Sequence, residues 1–263
     1  MLFSSVTIIV LFIVVAMTFI HHARVQAGKL PQRRPLPALD RLRHALGHGA
    51  ETGRPTHVSP GASVLGAADG SRATTAELLA GLLVAERVAS EAALKGSPIL
   101  VSSGDAVAHL ALRGGVRQAY QMAGQAQDYD PTRVQLLAHN DELAYATGVA
   151  TIYAREELEA SAMFGGFNQE FLLLGEEAAQ RDLPHIVGTT NSLALPLMVL
   201  SSPSTLVGEE IYAAEAYIAP AQMAQARLLT QDLLRTTVIL LLVVGFGYSL
   251  LQPFLGLPSL LGL

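Results

Sequence analysis

The sequence predicts an α/β domain with a mainly parallel, Rossmann-like three-layer sheet, carried between an N-terminal and a C-terminal transmembrane helix. Two observations predict it. None of the 17 basic and 22 acidic residues lies before Arg24 or after Arg235, so both ends are uncharged and apolar. Between them, short apolar runs bounded by turn residues alternate with longer stretches whose apolar residues recur at helical spacing, the pattern of strands and crossover helices.

Residues 6–20, VTIIVLFIVVAMTFI, carry no charge, and with the preceding residues they give about twenty positions, enough for a hydrocarbon core near 30 Å. The basic residues Arg24, Lys29, Arg33 and Arg34 follow this run instead of preceding it, which marks an uncleaved anchor and not a signal peptide. Prolines 31, 35 and 37 stop the helix, and PALDRLRHALGHG restarts one over 37–47, with Leu39, Leu42 and Leu46 on one face. Those leucines suit docking on the domain or a neighbouring subunit as well as an interfacial position in lipid.

His57-Val58-Ser59 is a short strand leading into a loop, PGASVLGAADGSR, and then a helix over 74–95 with Leu78, Leu79, Leu82, Leu83 and Val88 in helical register. ILVSS at 99–103 is an apolar run too short for a helix, as a strand buried on both faces would be. Helices follow over 105–124, 141–160, 169–182 and 209–218, and strands over 134–138, 162–167 and 185–189. Residues 205–207 suit an edge strand, and 193–200 are ambiguous because Pro196 interrupts them. A last helix beginning near Pro220 runs through Arg227 and Arg235 into TTVILLLVVGFGYSLL and meets Pro253. The division expected is 1–23 membrane helix, 24–54 basic juxtamembrane segment, 55–219 domain, 220–253 second anchor and 254–263 apolar tail.

Charge sets the expected topology. Residues 24–54 hold seven basic and two acidic residues, whereas 55–235 hold ten basic and twenty acidic. Positive residues stay on the cytoplasmic side, so both termini face outward and the domain is cytoplasmic in a two-pass cell-membrane protein. A basic collar is drawn to anionic lipid, and an acidic domain is repelled by phosphate backbones, which argues against nucleic-acid binding. The absence of cysteine fits a reducing compartment.

Ligands of open parallel sheets bind beyond the carboxyl ends of the strands. The candidate ligand residues are therefore those of the strand-end loops: Gly61, Gly66, Ser71 and Thr74 after the first strand, Ser102 and Asp105 after the second, Asn140 and Asp141 after the third, and Thr189 and Asn191 after the fifth. Each polar one has a plainer reading as a helix cap. The first loop has neither G-x-G-x-x-G nor G-x-x-x-x-G-K-[ST] spacing, and Asp69 within it opposes an anion. No H-E-x-x-H, G-x-S-x-G or cysteine nucleophile is present, so no catalytic residue, metal or cofactor is assigned. His57, His139 and His185 lie beside strands and would bind a metal only if the strand order joined them; separately hydrogen-bonded histidines are the simpler expectation. Glu209 and Glu210, with Glu176 and Glu177, offer either an acidic site or partners of helix dipoles. Tyr212 and Tyr217, with Gly245 and Gly247 in the last span, suit an interface.

The segment Gly208-Glu209-Glu210-Ile211-Tyr212-Ala213-Ala214-Glu215-Ala216-Tyr217, following a first span, a His-Val-Ser strand, a glycine-bearing loop and a threonine-led helix, resembles a family of bacterial two-anchor membrane proteins with a domain of unknown function. The likeness covers about residues 55–250 and implies the architecture without adding a catalytic residue. The function expected is a non-enzymatic membrane scaffold or accessory subunit whose domain self-associates or docks partners, with membrane lipid and a homo-oligomer or membrane protein complex as partners. The alternative is a Rossmann-like sensor or enzyme for a nucleotide or metabolite.

Overall fold

The computed structural model describes residues 2–28, 34–63, 72–218 and 221–255. The chain forms two compact units, one of Met1–Arg33 with Ala221–Leu263 and one of Arg34–Pro220.

In the first unit, α1 (Leu2–Gln26) packs along α9 (Gln222–Leu255). A buried hydrogen bond joins them, His21 Nδ1 to Thr230 Oγ1 at 2.9 Å, while the Thr230 hydroxyl donates to Ala226 O within its own helix. Ile8, Leu11 and Phe12 of α1 and the run from Val238 to Val244 of α9 stay exposed. Among the described residues one helix, within Gln222–Phe246, is long and apolar enough to cross a membrane, and α1 contributes a shorter apolar stretch, Val10–Gln26. Pro253 does not end α9, which continues to Leu255.

The second unit is a six-stranded, all-parallel sheet between two helical layers. Its strands are β1 (Thr56–Gly61), β2 (Ile99–Ser103), β3 (Val134–Leu136), β4 (Ala160–Gly166), β5 (His185–Thr189) and β6 (Ser204–Val207), in the order β3-β2-β1-β4-β5-β6. That order, with the reversal between β1 and β4, is the arrangement of doubly wound Rossmann-like sheets. The chain crosses between strands through α3 (Arg72–Lys95), α4 (Ala106–Met122), α5 (Glu142–Arg155), α6 (Phe171–Gln180) and α7 (Leu195–Ser201). Helix α2 (Pro37–Thr52) precedes the sheet and α8 (Glu210–Ile218) follows it.

Side-chain alternation divides the core in two. Val58, Ile99, Val101, Ala162, Phe164 and Ile186 face a layer with α2, α3, α4 and α8, and Leu100, Met163 and Val187 face a layer with α5, α6 and α7. Leu39, Leu42 and Leu46 are fully buried in the first of these, so α2 is docked on the domain and belongs to its compact unit.

Several boundaries differ from the sequence pattern for local reasons. Helix α2 runs past Gly47 to Thr52, with Gly49 leaving room for the close approach of Arg54 O and Ser97 Oγ, and it ends where Gly53 takes a left-handed φ of 74°. Helix α5 ends at Arg155, five residues early, since Glu159 N already donates to Pro55 O and the chain enters the sheet as β4. The ambiguous 193–200 segment is a turn at 193–194 and then helix α7 from Leu195, with Pro196 accommodated in its first turn.

The sheet centre depends on glycine. A Cβ on Gly81 of α3 would lie 2.1 Å from Phe164 O, so the helix rides directly on the β4 backbone. Alanine is the better helix former by about 1 kcal/mol, yet the clash is with main chain that has no room to move. Gly81→Ala is therefore expected to destabilise the protein by about 1–3 kcal/mol in urea unfolding followed by circular dichroism; a more stable variant would disprove the close α3–β4 contact.

Candidate functional site

Because every strand is parallel, all the loops singled out from the sequence emerge at one edge of the sheet. Its centre is the reversal point. There β1 and β4 end on glycines whose backbones nearly touch: a Cβ on Gly61 would sit 2.2 Å from Gly166 O, and one on Gly165 would sit 2.1 Å from Pro60 O. Gly61 has φ +101° and Gly165 φ +145°, conformations in which a side chain is strained. Gly104 N donates to Gly61 O, which ties in the end of β2.

The loops around this point carry buried acid. Glu77, in the second turn of α3, is 1% exposed, and its carboxylate accepts from the hydroxyls of Thr189 and Thr190 beyond β5. Burial raises its pKa against the lowering effect of those hydrogen bonds. Glu170, after β4, accepts from Asn168 N through both oxygens at 3.0 Å. Burial first, and nearby Glu142 second among the raising causes, push its pKa to about 7. The Asn191 amide donates to Phe167 O at 2.8 Å and to Asn168 Oδ1, stitching the β5 loop to the β4 loop, and the Asn168 amide donates to Glu142 at the start of α5. Two buried carboxyl groups that hold protons more tightly than usual can exchange hydrogen bonds with a hydroxyl or an amine.

The predicted ligand residues divide. Thr189 and Asn191 belong to this cluster, and Gly61 forms its backbone floor. Asp105 and Asp141 are N-caps of α4 and α5, accepting from Ala108 N at 2.7 Å and Ala144 N at 2.9 Å. Asn140, at φ 58°, makes the left-handed turn before its cap. Thr74 lies in the first turn of α3, and Gly66 and Ser71 fall outside the described residues.

Ser102 has a different role, which the sequence did not disclose. On the face beneath α5, His57 and Ser161 are in register across β1 and β4, and Ser161 and His185 across β4 and β5. His57 Nε2 lies 2.8 Å from Ser102 Oγ and its Nδ1 lies 2.9 Å from Ser161 Oγ. Ser161 Oγ is 2.6 Å from the Tyr153 hydroxyl, which is 3.3 Å from His185 Nε2. Ser59 and Tyr145, 2.5 Å apart, continue the polar row toward the carboxyl edge. Burial holds both imidazoles neutral, lowering each pKa to about 3, and raises both tyrosine pKa values. His139 stands apart, accepting from Ala106 N, and no group of three or more metal-ligating side chains occurs among the described residues.

A family model described as Domain of unknown function (DUF6754) matches residues 2–256. The chain belongs to this family. No curated protein and no solved structure matches it. In this DUF6754 chain the GEEIYAAEAY segment, to which Glu209, Glu210, Tyr212 and Tyr217 belong, is built into the domain. Glu210 accepts from Val207 N at 2.9 Å and pairs with Arg34, Glu215 pairs with Arg87 at 3.0 Å, and Tyr217 O accepts from Arg43. Tyr212 is directed more outward. Glu176 and Glu177 pair along α6 with Gln180 and Arg181, each acidic pair thus having its own local partners. Gly245 and Gly247 lie on α9, where a Cβ at Gly245 would meet open space.

The raised pKa of Glu170 has a pH signature. The folded state binds its proton more tightly than the unfolded chain does, so its contribution to stability is full below the unfolded value of 4.5 and is lost as pH rises through about 7. The urea midpoint of the wild type relative to that of Glu170→Gln is expected to fall as pH rises from about 5 to about 8, the opposite contributions of buried, neutral His57 and His185 being common to both chains. Equal slopes would remove Glu170 from the buried site.

Proposed function

We propose that this DUF6754 protein is a two-anchor membrane protein whose α/β domain binds a small polar ligand at the reversal in strand order. The observation that carries the reading is the gathering of Glu77, Glu170, Asn168 and Asn191 in the loops and helix starts beyond the carboxyl ends of β4 and β5, next to the reversal where ligands of such sheets bind. Buried carboxyl groups at that position favour a ligand offering hydroxyls or an amine and oppose a phosphate. Full-length protein in mild detergent is expected to gain thermal stability with a nucleoside, a sugar or a polyamine, and Glu77→Gln is expected to reduce the gain. No shift with any of the three classes, together with no small bound mass in native mass spectrometry, would refute it.

A second reading, a scaffold or accessory subunit, is favoured by apolar side chains left exposed on neighbouring helices: Leu79 and Leu83 of α3, Val107 and Leu110 of α4. A homo-oligomer or a stable membrane protein complex in the same mass spectra would support it.

The anchors proposed are α1 and α9, with membrane lipid around both, both termini outside and the domain cytoplasmic. The excess of basic residues at 24–54 and the placement of Arg227 and Arg235 before the last apolar run support that orientation. Since the chain has no cysteine, single substitutions report cleanly. Ser4→Cys is expected to react with a membrane-impermeant maleimide in right-side-out vesicles, and Asp128→Cys only in inside-out ones. The reverse pattern would invert the topology.

A further inference from the structure

The opposite edge of the sheet, where the strands begin, holds a cavity of about 710 Å³, within the roughly 300–1,000 Å³ of small-molecule sites. One wall is α2, which contributes Arg41, His44 and His48 at i, i+3 and i+7. Asp182, in the turn between α6 and β5, and Glu159, just before β4, contribute the acidic part of the lining. His185, the first residue of β5, also lines it.

These groups are not equivalent. His48 Nδ1 lies 2.8 Å from Glu159 Oε1, so that pair answers itself. Arg41 is steadied by donating to Ser204 Oγ at the start of β6, which leaves the rest of its five-donor fork for another acceptor. Asp182 sits at φ 51°, fixed by the turn. His185 is 6% exposed, stacked on Phe171, with Nε2 near the Tyr153 hydroxyl and Met163 Sδ. Its Nδ1 is buried and has no hydrogen-bond partner among the described residues, a condition that folded proteins rarely tolerate without a ligand or water. The polar row beneath α5 thus ends on an unsatisfied atom of a cavity-lining residue.

We propose that this cavity is a second binding site, for a small zwitterion of the amino-acid class, with its carboxylate on Arg41, its ammonium on Asp182 and an apolar side chain against the remaining walls. A simple anion would meet Asp182 and Glu159, and a simple cation would meet Arg41. A molecule bearing both charges is matched by both. The apolar share of the lining, from alanine, leucine, isoleucine and proline, selects against strongly polar side chains.

The test is titration of the full-length protein in detergent with each of the twenty amino acids, using propionate and propylamine as singly charged controls, read by thermal shift and calorimetry. At least one apolar amino acid is expected to bind and the controls are not. Arg41→Gln and Asp182→Asn are each expected to weaken binding about ten-fold or more, the loss of one charge-assisted contact. Asparagine tolerates the left-handed backbone at 182, so D182N carries the test even where R41Q fails to fold. Binding of no amino acid, equal binding of propionate or propylamine, or affinity retained in D182N would overturn the proposal.

Discussion

The contact between β1 and β4 is the constraint on which the domain depends. It is the one place in the sheet where adjacent strands are far apart in the chain, and it closes only because glycine occupies both strand ends and the helix above them. With Gly61 against the Gly166 backbone, Gly165 against that of Pro60 and Gly81 resting on Phe164 O, these glycines bring no side chain to the contact. The groups around it must come from loops and helix starts, which is why Glu77, Glu170, Asn168 and Asn191 gather there. Their burial follows from the same closeness, and their raised proton affinity follows from the burial.

Much of the fold was legible in local pattern. The runs 99–103 and 185–189 read as buried strands because apolar residues bounded by turns have no other use at that length, and both are strands of those bounds. The long apolar spacing of α3 and the aspartates before α4 and α5 were equally readable. The site was much less so. Glu77 and Glu170 look like ordinary surface acids of amphipathic helices, since nothing within a few residues of either announces that threonines more than a hundred positions away, or a folded loop, will cover them. His57 and Ser59 flank Val58 as the solvent side of a half-buried strand would, yet all of β1 is buried. Their partners lie on other strands and on α5, and strand order is a property of long-range packing that no local pattern encodes.

The basic segment over residues 24–54 illustrates the same limit from the side of charge. Its net sign suggests lipid headgroups, but the leucines of α2 are turned into the domain, and part of its charge is engaged there: Arg34 with Glu210, Arg43 with Tyr217 O, Arg54 with Glu157. Exposed ion pairs of this kind add on the order of 0–1 kcal/mol each, so burial of Leu39, Leu42 and Leu46 is what holds the helix.

The row Ser102–His57–Ser161–Tyr153–His185 is made of groups that each own a single proton to give and a lone pair to receive. Such a string has a polarity. If Ser102 gives to His57, every following link gives in the same sense, His185 Nε2 receives from Tyr153, and Nδ1 carries the hydrogen. If the sense is reversed, His185 gives through Nε2 and Nδ1 is left as a bare lone pair. The outermost ring nitrogen therefore reports the orientation of hydrogens four side chains away, and reversing that orientation relocates protons along the whole row while leaving every heavy atom in place.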